Sequence, residues 1–122
     1  MEQLTNIAEP LGYTVVCAPV LGCLHFKTGC SYLGKNTVLV NPAWVDAKMF
    51  RDFEILPVAA GEPFAANAIL LADTVLHPTG FAQTQSLLVK QGFKLDLVDI
   101  SELMKAEAGL TCMSQIFEVS SP

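Results

Sequence analysis

Two residues in distant parts of the chain have side chains suited to nucleophilic catalysis. Cys112 lies in the segment KAEAGLTCMS, residues 105–114, and His25 lies in CLHFKTGCSYLG, residues 23–34. A thiol becomes a catalytic nucleophile when an acid or base lies close to it in space, whatever their separation in sequence. The two segments therefore form a candidate Cys/His pair. Spacing alone leaves open the alternative that Cys112 is a small buried hydrophobe on a terminal strand and that His25 is structural.

Other motifs in the chain fit their chemistry less well. The segment GCSYLGKN, residues 29–36, nearly matches the phosphate-binding pattern GxxxxGK[ST], but Asn36 replaces the magnesium-binding hydroxyl, so its GKN end predicts a hairpin turn instead. Cys23 and His25 would face the same side of a strand, as metal ligands do, but no second ligand pair has conventional spacing. Beyond chance capture of a soft metal, we expect no metal and no cofactor. His77 has no obvious cysteine or acid partner, and we expect it to be structural.

Composition and charge limit the class of protein. The 122 residues are enough for one domain, which we expect to span 1–122, and 52% of them are hydrophobic. That apolar share exceeds the usual value, so we expect a partner or another copy of the chain to cover the surplus apolar surface. The net charge is -5 and the seven Lys and Arg residues form no basic run. These features exclude nucleic acid as a partner and are compatible with a cationic small molecule.

Targeting signals and cysteine usage indicate a cellular location. No charged and apolar leader precedes a cleavage site, and no apolar run approaches the roughly 18 residues that a membrane-spanning helix needs. We therefore expect a cytoplasmic protein with no membrane association. The four cysteines form no CxxC pair, and in a reducing compartment they should remain thiols.

The middle of the chain repeats itself. NTVL, residues 36–39, recurs as DTVL, residues 73–76, at an offset of 37 residues, and a proline follows each copy. Each copy belongs to a unit that predicts strand, polar turn, strand, helix and strand. The predicted segments are 24–29, 37–40, 43–50 and 53–58 in the first unit and 66–71, 74–77, 81–91 and 94–99 in the second. Two tandem ββαβ units indicate an α/β protein that forms an incomplete ring, since such units rarely bury their faces alone.

The two ends of the chain must position the candidate pair. A helix is predicted over residues 4–11, followed by a β-rich run at 13–17 and a connector at 18–22, which leads to the strand carrying the candidate histidine. At the other end, Ser101 is the predicted N-cap of one helical turn. A last strand, carrying Cys112, is predicted after that turn.

The chain resembles the C-terminal part of dimethylarginine dimethylaminohydrolases in three segments, which are, in order, CLHFKTGCSYLGKNTVLVNPAWVD, GEPFAANAILLADTVLHPTGF and VDISELMKAEAGLTCMS. That family is grouped with arginine deiminases and amidinotransferases in the guanidino-group modifying superfamily. The resemblance extends from about Leu11 onward, and its His-x-Lys-Ser/Thr-Gly and Leu-Thr-Cys motifs are far more selective than a single cysteine. Because the family's fold is a closed ring of five ββαβ modules, the resemblance implies a partial, pentein-like α/β propeller of two to three modules.

The resemblance also implies a site and a reaction. Cys112 matches the family's nucleophile and His25 its catalytic histidine, while Ala106 and Glu107 match positions near the bound amino acid, Ala106 through its backbone. The implied reaction is hydrolysis of an N-methylated arginine, or a related guanidino compound, to citrulline and methylamine or dimethylamine through a covalent thiouronium. A cationic substrate would itself favour the thiolate when it docks.

The chain departs from the family in length. Family members are about twice as long, and their N-terminal half supplies the acids that bind the guanidinium and the arginines that bind the carboxylate. We assign no replacement among the acidic residues considered, which are Asp46, Asp52, Glu62 and Asp73. Two hypotheses follow. In the first, the chain is a hydrolase, or half of one, and a second copy or a separate N-terminal polypeptide completes its site. In the second, the chain is a non-catalytic, self-associating module.

Overall fold

The computed structural model describes residues 1–118, in which short helices connect two small sheets. The α-helices are α1 (Glu2–Ala8), α2 (Phe26–Gly29), α3 (Ala82–Lys90) and α4 (Ser101–Met104). The strands are β1 (Cys30–Tyr32), β2 (Thr37–Val40), β3 (Glu54–Pro57), β4 (Ile69–Leu71), β5 (Thr74–Pro78) and β6 (Lys94–Val98). Short 3-10 helices lie at Glu9–Leu11, Ala47–Phe50 and Pro63–Ala66. Within these 118 residues no helix has the length and apolar character needed to cross a membrane.

The first unit is a three-stranded sheet in the order β1-β2-β3. Strands β1 and β2 run antiparallel, with Cys30 opposite Val40, and a tight turn joins them. In this turn Gly34, Lys35 and Asn36 all have positive φ, a conformation that glycine and asparagine adopt more readily than other residues. The hairpin predicted at the GKN sequence is therefore confirmed.

The second unit repeats this topology, with β4 antiparallel to β5 and β5 parallel to β6. The repeat is visible in the register, because Thr37 begins β2 opposite Glu54 and Thr74 begins β5 opposite Lys94. Parallel strands need a crossover connection, which a 3-10 helix provides in the first unit and α3 in the second. The order of strands in the two predicted ββαβ units is confirmed, and β2 to β6 lie inside the predicted segments or extend one residue beyond them. The exception is β1, which begins after the predicted segment 24–29.

One buried cluster joins the two units. Leu33 and Leu39 of the first unit pack with Val75, Leu88 and Phe93 of the second, and none of these residues is more than 8% exposed. Burying such side chains stabilises a fold by roughly 1.5–3 kcal/mol each. The interface between the units is therefore one of the buried cores of the chain.

A buried hydroxyl connects β1 to the chain that enters β4. Ser31 Oγ donates to the Ala66 carbonyl at 2.7 Å and accepts from the Ala68 N–H at 3.0 Å. A buried hydroxyl or peptide group is costly when it has no partner, so both bonds matter. The two bonds lie on either side of Asn67, so Ser31 of the first unit fixes the backbone at that residue.

His25 does not lie on a strand, and the prediction that it does is wrong. It is an extended residue immediately before α2, and β1 begins only at Cys30. The ladder with β2 ends at Asn41, whose N–H donates to the Gly29 carbonyl, because the next residue is Pro42, which has no N–H to continue the ladder. Within residues 1–118, residues 24–28 have no neighbouring strand, and α2 forms a helical turn there instead.

The predicted last strand is also wrong, since Cys112 lies in a turn. The Thr111 N–H donates to a side chain, Asn67 Oδ1, rather than to a neighbouring strand. The β-rich run at 13–17 is irregular, and its Tyr13 and Val16 are each 69% exposed. A strand is stable only beside another strand, and neither segment has one within the described part of the chain.

Two helix predictions need smaller corrections. The first helix is α-helical over Glu2–Ala8 and ends in a 3-10 turn, since Pro10 cannot continue the α-helical hydrogen bonds. The segment predicted as a helix over 43–50 is a 3-10 helix over Ala47–Phe50 only. α4 begins at Ser101, but its N-cap is Ile100, and the Asp99 carboxylate accepts the Ser101 N–H at 2.9 Å.

Candidate functional site

A cavity of about 310 Å³ lies between the start of α2 and the segment 107–110. His25 lines one side of it, and Glu107 and Gly109 line the other. The remaining wall is largely apolar, and its large side chains are Leu24, Phe64, Phe81, Ile100, Met104 and Leu110. Concave and mostly apolar sites with a few polar groups are typical of small-molecule binding.

The turn that begins α2 positions His25 at the cavity. The residue is exposed, and its carbonyl accepts from the Thr28 N–H at 3.0 Å. The Cys23 thiol donates to the same carbonyl at 3.4 Å. These contacts hold the backbone of His25 and do not use its imidazole ring.

Cys112 lies in a tight turn, two residues beyond the cavity-lining Leu110, and is exposed. The Gly109 N–H donates to Cys112 Sγ at 3.0 Å, and the thiol donates toward the Gly109 carbonyl at 3.2 Å. Ser114 Oγ donates to the Leu110 carbonyl at 2.6 Å and closes the turn. The sulfur is therefore held against the backbone that forms the rim of the cavity.

The side-chain amide of Asn67 joins the histidine and cysteine segments. Its Nδ2 donates to the Lys27 carbonyl at 2.9 Å and to Thr111 Oγ1 at 2.9 Å, and its Oδ1 accepts from the Thr111 N–H at 3.0 Å. Lys27 follows His25 by two residues, and Thr111 immediately precedes Cys112. One amide therefore connects the two segments that the sequence proposed as a pair.

Reasoning from the sequence did not identify Asn67. It lies in the apolar run FAANAIL and is only 5% exposed. A polar side chain at a position patterned for the core must find hydrogen-bond partners, and this is the signal that could have pointed to it. Its partners lie 40 and 44 residues away along the chain, so no local pattern reveals them.

Two of the carboxylates considered as guanidinium ligands have structural partners. Glu62 accepts from the Gln83 N–H at 3.0 Å and the Thr84 N–H at 2.8 Å at the start of α3. Burial acts to raise the pKa of Glu62, but the hydrogen bonds from Thr84 and Gln83 outweigh it and leave that pKa below its usual value. Asp73 pairs with Lys94, whose hydrogen bond lowers the pKa of the Asp73 carboxyl.

The cavity itself offers little negative charge. Asp46 accepts from the Lys48 N–H at 3.0 Å and so caps the 3-10 helix that follows it. Asp52 is exposed and does not line the cavity. Among residues 1–118, Glu107 is the one acidic residue that lines it, in a left-handed conformation with φ of 59°. Ala106, next to it, is exposed and lies outside the cavity lining.

His77 is buried in the second unit and does not line the cavity. Its Nε2 lies 2.9 Å from the Ala65 carbonyl and its Nδ1 lies 3.0 Å from the Pro78 carbonyl. The ring also packs edge-on against Phe81. Burial lowers the pKa of His77, and the opposing effects of the two carbonyls and of Glu62 do not overcome it. These contacts support the structural role predicted for His77.

The other thiols are poorer candidates for a nucleophile. Burial, followed by the nearby Cys23 thiol, raises the pKa of Cys30 to about 11. Burial also raises the pKa of Cys23. Since the thiolate is the reactive form, these raised pKa values make the two thiols less reactive near neutral pH than thiols with an ordinary pKa. Cys17 is exposed and, like Cys112, does not line the cavity, but Cys112 bonds the cavity-lining Gly109.

The two ββαβ units define the chain as part of a pentein-like α/β propeller, and solved structures confirm this fold. One of them is a dimethylarginine dimethylaminohydrolase from Pseudomonas aeruginosa, solved as a cysteine-to-serine mutant complexed with citrulline. It matches with a TM-score of 0.84 and 31% identity, and the match covers 92% of this chain and 44% of that one. A histidine-to-glycine form of a dimethylarginine dimethylaminohydrolase, an adduct with S-methyl-L-thiocitrulline, matches with a TM-score of 0.83 and 31% identity over the same shares. An amidinotransferase from Microseira wollei shares the fold, with a TM-score of 0.78 and 20% identity over 91% of this chain and 36% of that one.

Curated relatives narrow the resemblance to one family. The chain is 33% identical over 116 residues to the dimethylarginine dimethylaminohydrolase of Pseudomonas aeruginosa, which covers 95% of this chain and 46% of the relative. It is 34% identical over 116 residues to the enzyme of that name from Streptomyces coelicolor, and the aligned region covers 93% of this chain and 43% of the relative. No family model matches the chain. The similarity to dimethylarginine dimethylaminohydrolases inferred from the sequence is confirmed, and the chain spans less than half the length of these two relatives.

Proposed function

We propose that the chain is the catalytic half of a dimethylarginine dimethylaminohydrolase-like enzyme, with Cys112 as the nucleophile and His25 as the general acid and base. The observation that carries the proposal is the Asn67 amide, which bonds the segments of both residues beside one cavity. The citrulline complex of the Pseudomonas aeruginosa relative supports a guanidino compound as substrate and citrulline as product.

In the first half-reaction, the Cys112 thiolate attacks the guanidinium carbon of an N-methylated arginine and forms a C–S bond. Protonated His25 gives its proton to the methylated nitrogen as the C–N bond breaks, so methylamine or dimethylamine leaves. A covalent thiouronium remains on the enzyme. The Gly109 N–H that contacts Cys112 Sγ would stabilise the negative charge of the attacking sulfur.

In the second half-reaction, neutral His25 takes a proton from a water molecule, whose oxygen attacks the thiouronium carbon. The C–S bond then breaks, which regenerates the Cys112 thiolate, and the second proton of the water passes to solvent as citrulline is released. The proton taken from water restores the imidazolium for the next cycle. One water is consumed, and the sequence of steps requires no cofactor.

Ala106 and Glu107 are assigned to substrate binding, Ala106 through its backbone. Glu107 lines the cavity and offers one carboxylate to a cationic substrate. The N–H donors of a methylated guanidinium lie in one plane but point in different directions, so a single carboxylate can pair with only one edge of the group. The site therefore needs further acidic groups from outside this chain.

A second copy of the chain or a separate N-terminal polypeptide is proposed to supply those groups. Exposed apolar side chains support association, since Leu4, Ile7 and Leu11 are 59%, 66% and 70% exposed. None of the residues of α1 is buried. Several exposed apolar side chains on one short segment are typical of an interaction site. The assembly would act in the cytoplasm, with each chain contributing one domain of two to three propeller modules.

The alternative function is a non-catalytic, self-associating module. The observation in its favour is that Glu107 is the one acidic residue lining the cavity within the described 118 residues. A chain that kept the fold but lost guanidinium recognition would retain the Cys112 turn and the Asn67 bonds without turnover. Robust turnover by the purified chain would exclude this alternative.

Citrulline formation from N-methylated arginine, measured over a range of concentrations of the purified chain, tests the proposal. Turnover that disappears in Cys112→Ser and rises more than linearly with chain concentration would indicate a site completed by a second copy. Turnover that persists in Cys112→Ser would contradict the role of the thiol. No turnover at any concentration would contradict completion by a second copy and favour a separate polypeptide or the module.

A further inference from the structure

We propose that Asn67 is a positioning residue, which sets the separation between the His25 and Cys112 segments. This inference rests on the proposed function and adds a specific device to it. Among residues 1–118, no hydrogen bond joins the segment 23–29 directly to the segment 109–114. The bonds that run between them all pass through the Asn67 amide.

The chemistry of the partners requires an asparagine at this position. The Lys27 carbonyl can only accept, so it needs the NH₂ end of the amide, and the Thr111 N–H can only donate, so it needs the carbonyl end. Both hydrogens of Nδ2 are used, the second by Thr111 Oγ1. An aspartate would place a charged oxygen against the Lys27 carbonyl, and an alanine would leave that carbonyl and the Thr111 N–H without their partner.

The backbone that carries this amide is itself held in place. Ser31 bonds the peptide groups on both sides of Asn67, and the Asn67 N–H donates to the Phe64 carbonyl at 3.3 Å. The face of the amide packs against Gly109, where a Cβ would lie 3.0 Å from Nδ2. A displacement of the amide would therefore move the Cys112 turn relative to α2 rather than being absorbed locally.

The experiment measures how strongly His25 affects the rate at which Cys112 is alkylated at each pH. It then asks whether that effect depends on Asn67. The probe is iodoacetamide, and alkylation of Cys112 is followed by peptide-level mass spectrometry across the pH range in which imidazole titrates. Each chain is compared with the same chain carrying His25→Ala. The other titratable groups that line the cavity, Cys23 and Glu107, are unchanged throughout.

Asn41 provides a matched control. It is 4% exposed, its Nδ2 donates to the Pro63 carbonyl at 3.0 Å and its Oδ1 accepts from the Ala43 N–H at 3.0 Å. Asn41→Ala therefore removes a buried bridging amide of the same kind whose bonds go to Pro63 and Ala43, outside both catalytic segments. The backbone bond from Asn41 to the Gly29 carbonyl is kept in this variant. A general loss of stability should affect both asparagine variants alike.

In the parent chain and in Asn41→Ala, adding His25→Ala should shift the pH profile of Cys112 alkylation. In Asn67→Ala, adding His25→Ala should leave that profile unshifted. An unchanged shift in Asn67→Ala would overturn the positioning role while leaving the catalytic pair intact. No shift in the parent chain would overturn the catalytic pair of the proposed function, and with it the positioning role. The two failures are therefore distinguishable.

A second pair of variants covers the case in which Asn67→Ala does not fold. Thr111→Val removes only the hydroxyl that accepts from Asn67 Nδ2, and Thr111→Ser keeps it. The shift produced by His25→Ala should weaken in Thr111→Val and be restored in Thr111→Ser. Equal shifts in these two folded variants would overturn the proposal.

Discussion

A Cβ atom built on Gly109 would lie 3.0 Å from Nδ2 of Asn67, closer than ordinary van der Waals contact. The backbone of the cysteine segment therefore packs directly on the amide that bonds it. Because hydrogen bonds hold this amide on both of its ends, it has little room to move away.

Gly109→Ala should displace the amide and weaken the site. The added methyl group at this half-buried position overpacks the buried amide of Asn67, so we expect a loss of about 1–3 kcal/mol in the free energy of unfolding, together with reduced turnover. Urea unfolding and citrulline formation measure the two effects. In a chain that already carries Asn67→Ala the methyl group has room, and its additional cost should be smaller. An equal cost in both chains would show that the strain lies elsewhere.

Glu62→Gln should remove a pH-dependent contribution to stability. The Glu62 carboxylate bonds two N–H groups at the start of α3, and its pKa in the folded chain lies below the usual value of 4.5. Because the folded-state pKa is lowered, this contribution is present above pH 4.5 and is lost as the pH falls through the folded-state pKa. Loss of this cap should cost about 1 kcal/mol near neutral pH.

Urea unfolding at a series of pH values measures the contribution of Glu62. Glu9→Gln is the control, since Glu9 is exposed and lies outside α3. It should leave the stability and its pH dependence close to those of the parent chain. The capping role is contradicted if the two glutamine variants unfold alike.

The buried His77 should make the chain less stable in mild acid. Burial lowers its pKa in the folded chain below the usual value of 6.5, so the unfolded chain binds the proton first. The stabilising contribution is present above pH 6.5 and is lost as the pH falls through the folded-state pKa. His77→Gln should flatten this slope and lower the overall stability by about 1–3 kcal/mol, because the Ala65 and Pro78 carbonyls lose a well-placed partner.

The exposed His25 serves as the matched control for His77. His25→Ala should preserve the decline in stability between neutral and mildly acidic pH, measured by thermal or urea unfolding. Persistence of the same slope in His77→Gln would assign the decline to another group.

The chain should self-associate through its N-terminal apolar face. Replacing both Leu4 and Ile7 by Gln should lower the association constant, because both side chains are more than half exposed and apolar. Sedimentation velocity over a range of concentrations measures the effect. Val89→Gln is the control, since Val89 is a comparably exposed apolar residue on α3. A strictly monomeric mass at high concentration would contradict association of any kind.

The repeat could be predicted from the sequence because its signals are local. The matching NTVL and DTVL segments place Thr37 and Thr74 at the start of the two central strands. Each segment contributes one residue, Leu39 or Val75, to the cluster buried between the units. Strand pairing and the position of α3 follow from alternation, turn residues and glycine at position 92. These features depend on neighbours in the chain rather than on distant partners.

The site could be predicted only in part, because its geometry depends on distant partners. His25 and Cys112 were identified by residue type and by motif, but both were placed on strands that do not form. Whether a segment becomes a strand depends on a neighbouring strand, which the sequence of that segment does not encode. Asn67 was missed because its role arises only when Lys27 and Thr111 meet on either side of it.

The most direct test of Cys112 as the nucleophile uses the ligand of a solved relative. A histidine-to-glycine form of that relative was solved as an adduct with S-methyl-L-thiocitrulline. His25→Gly should be incubated with the same compound at a concentration at which the chain associates, and the modified residue located by peptide mass spectrometry. Our account predicts a covalent adduct on Cys112 that is absent when the same chain also carries Cys112→Ser. An unmodified Cys112, or equal modification of the exposed Cys17, would contradict it.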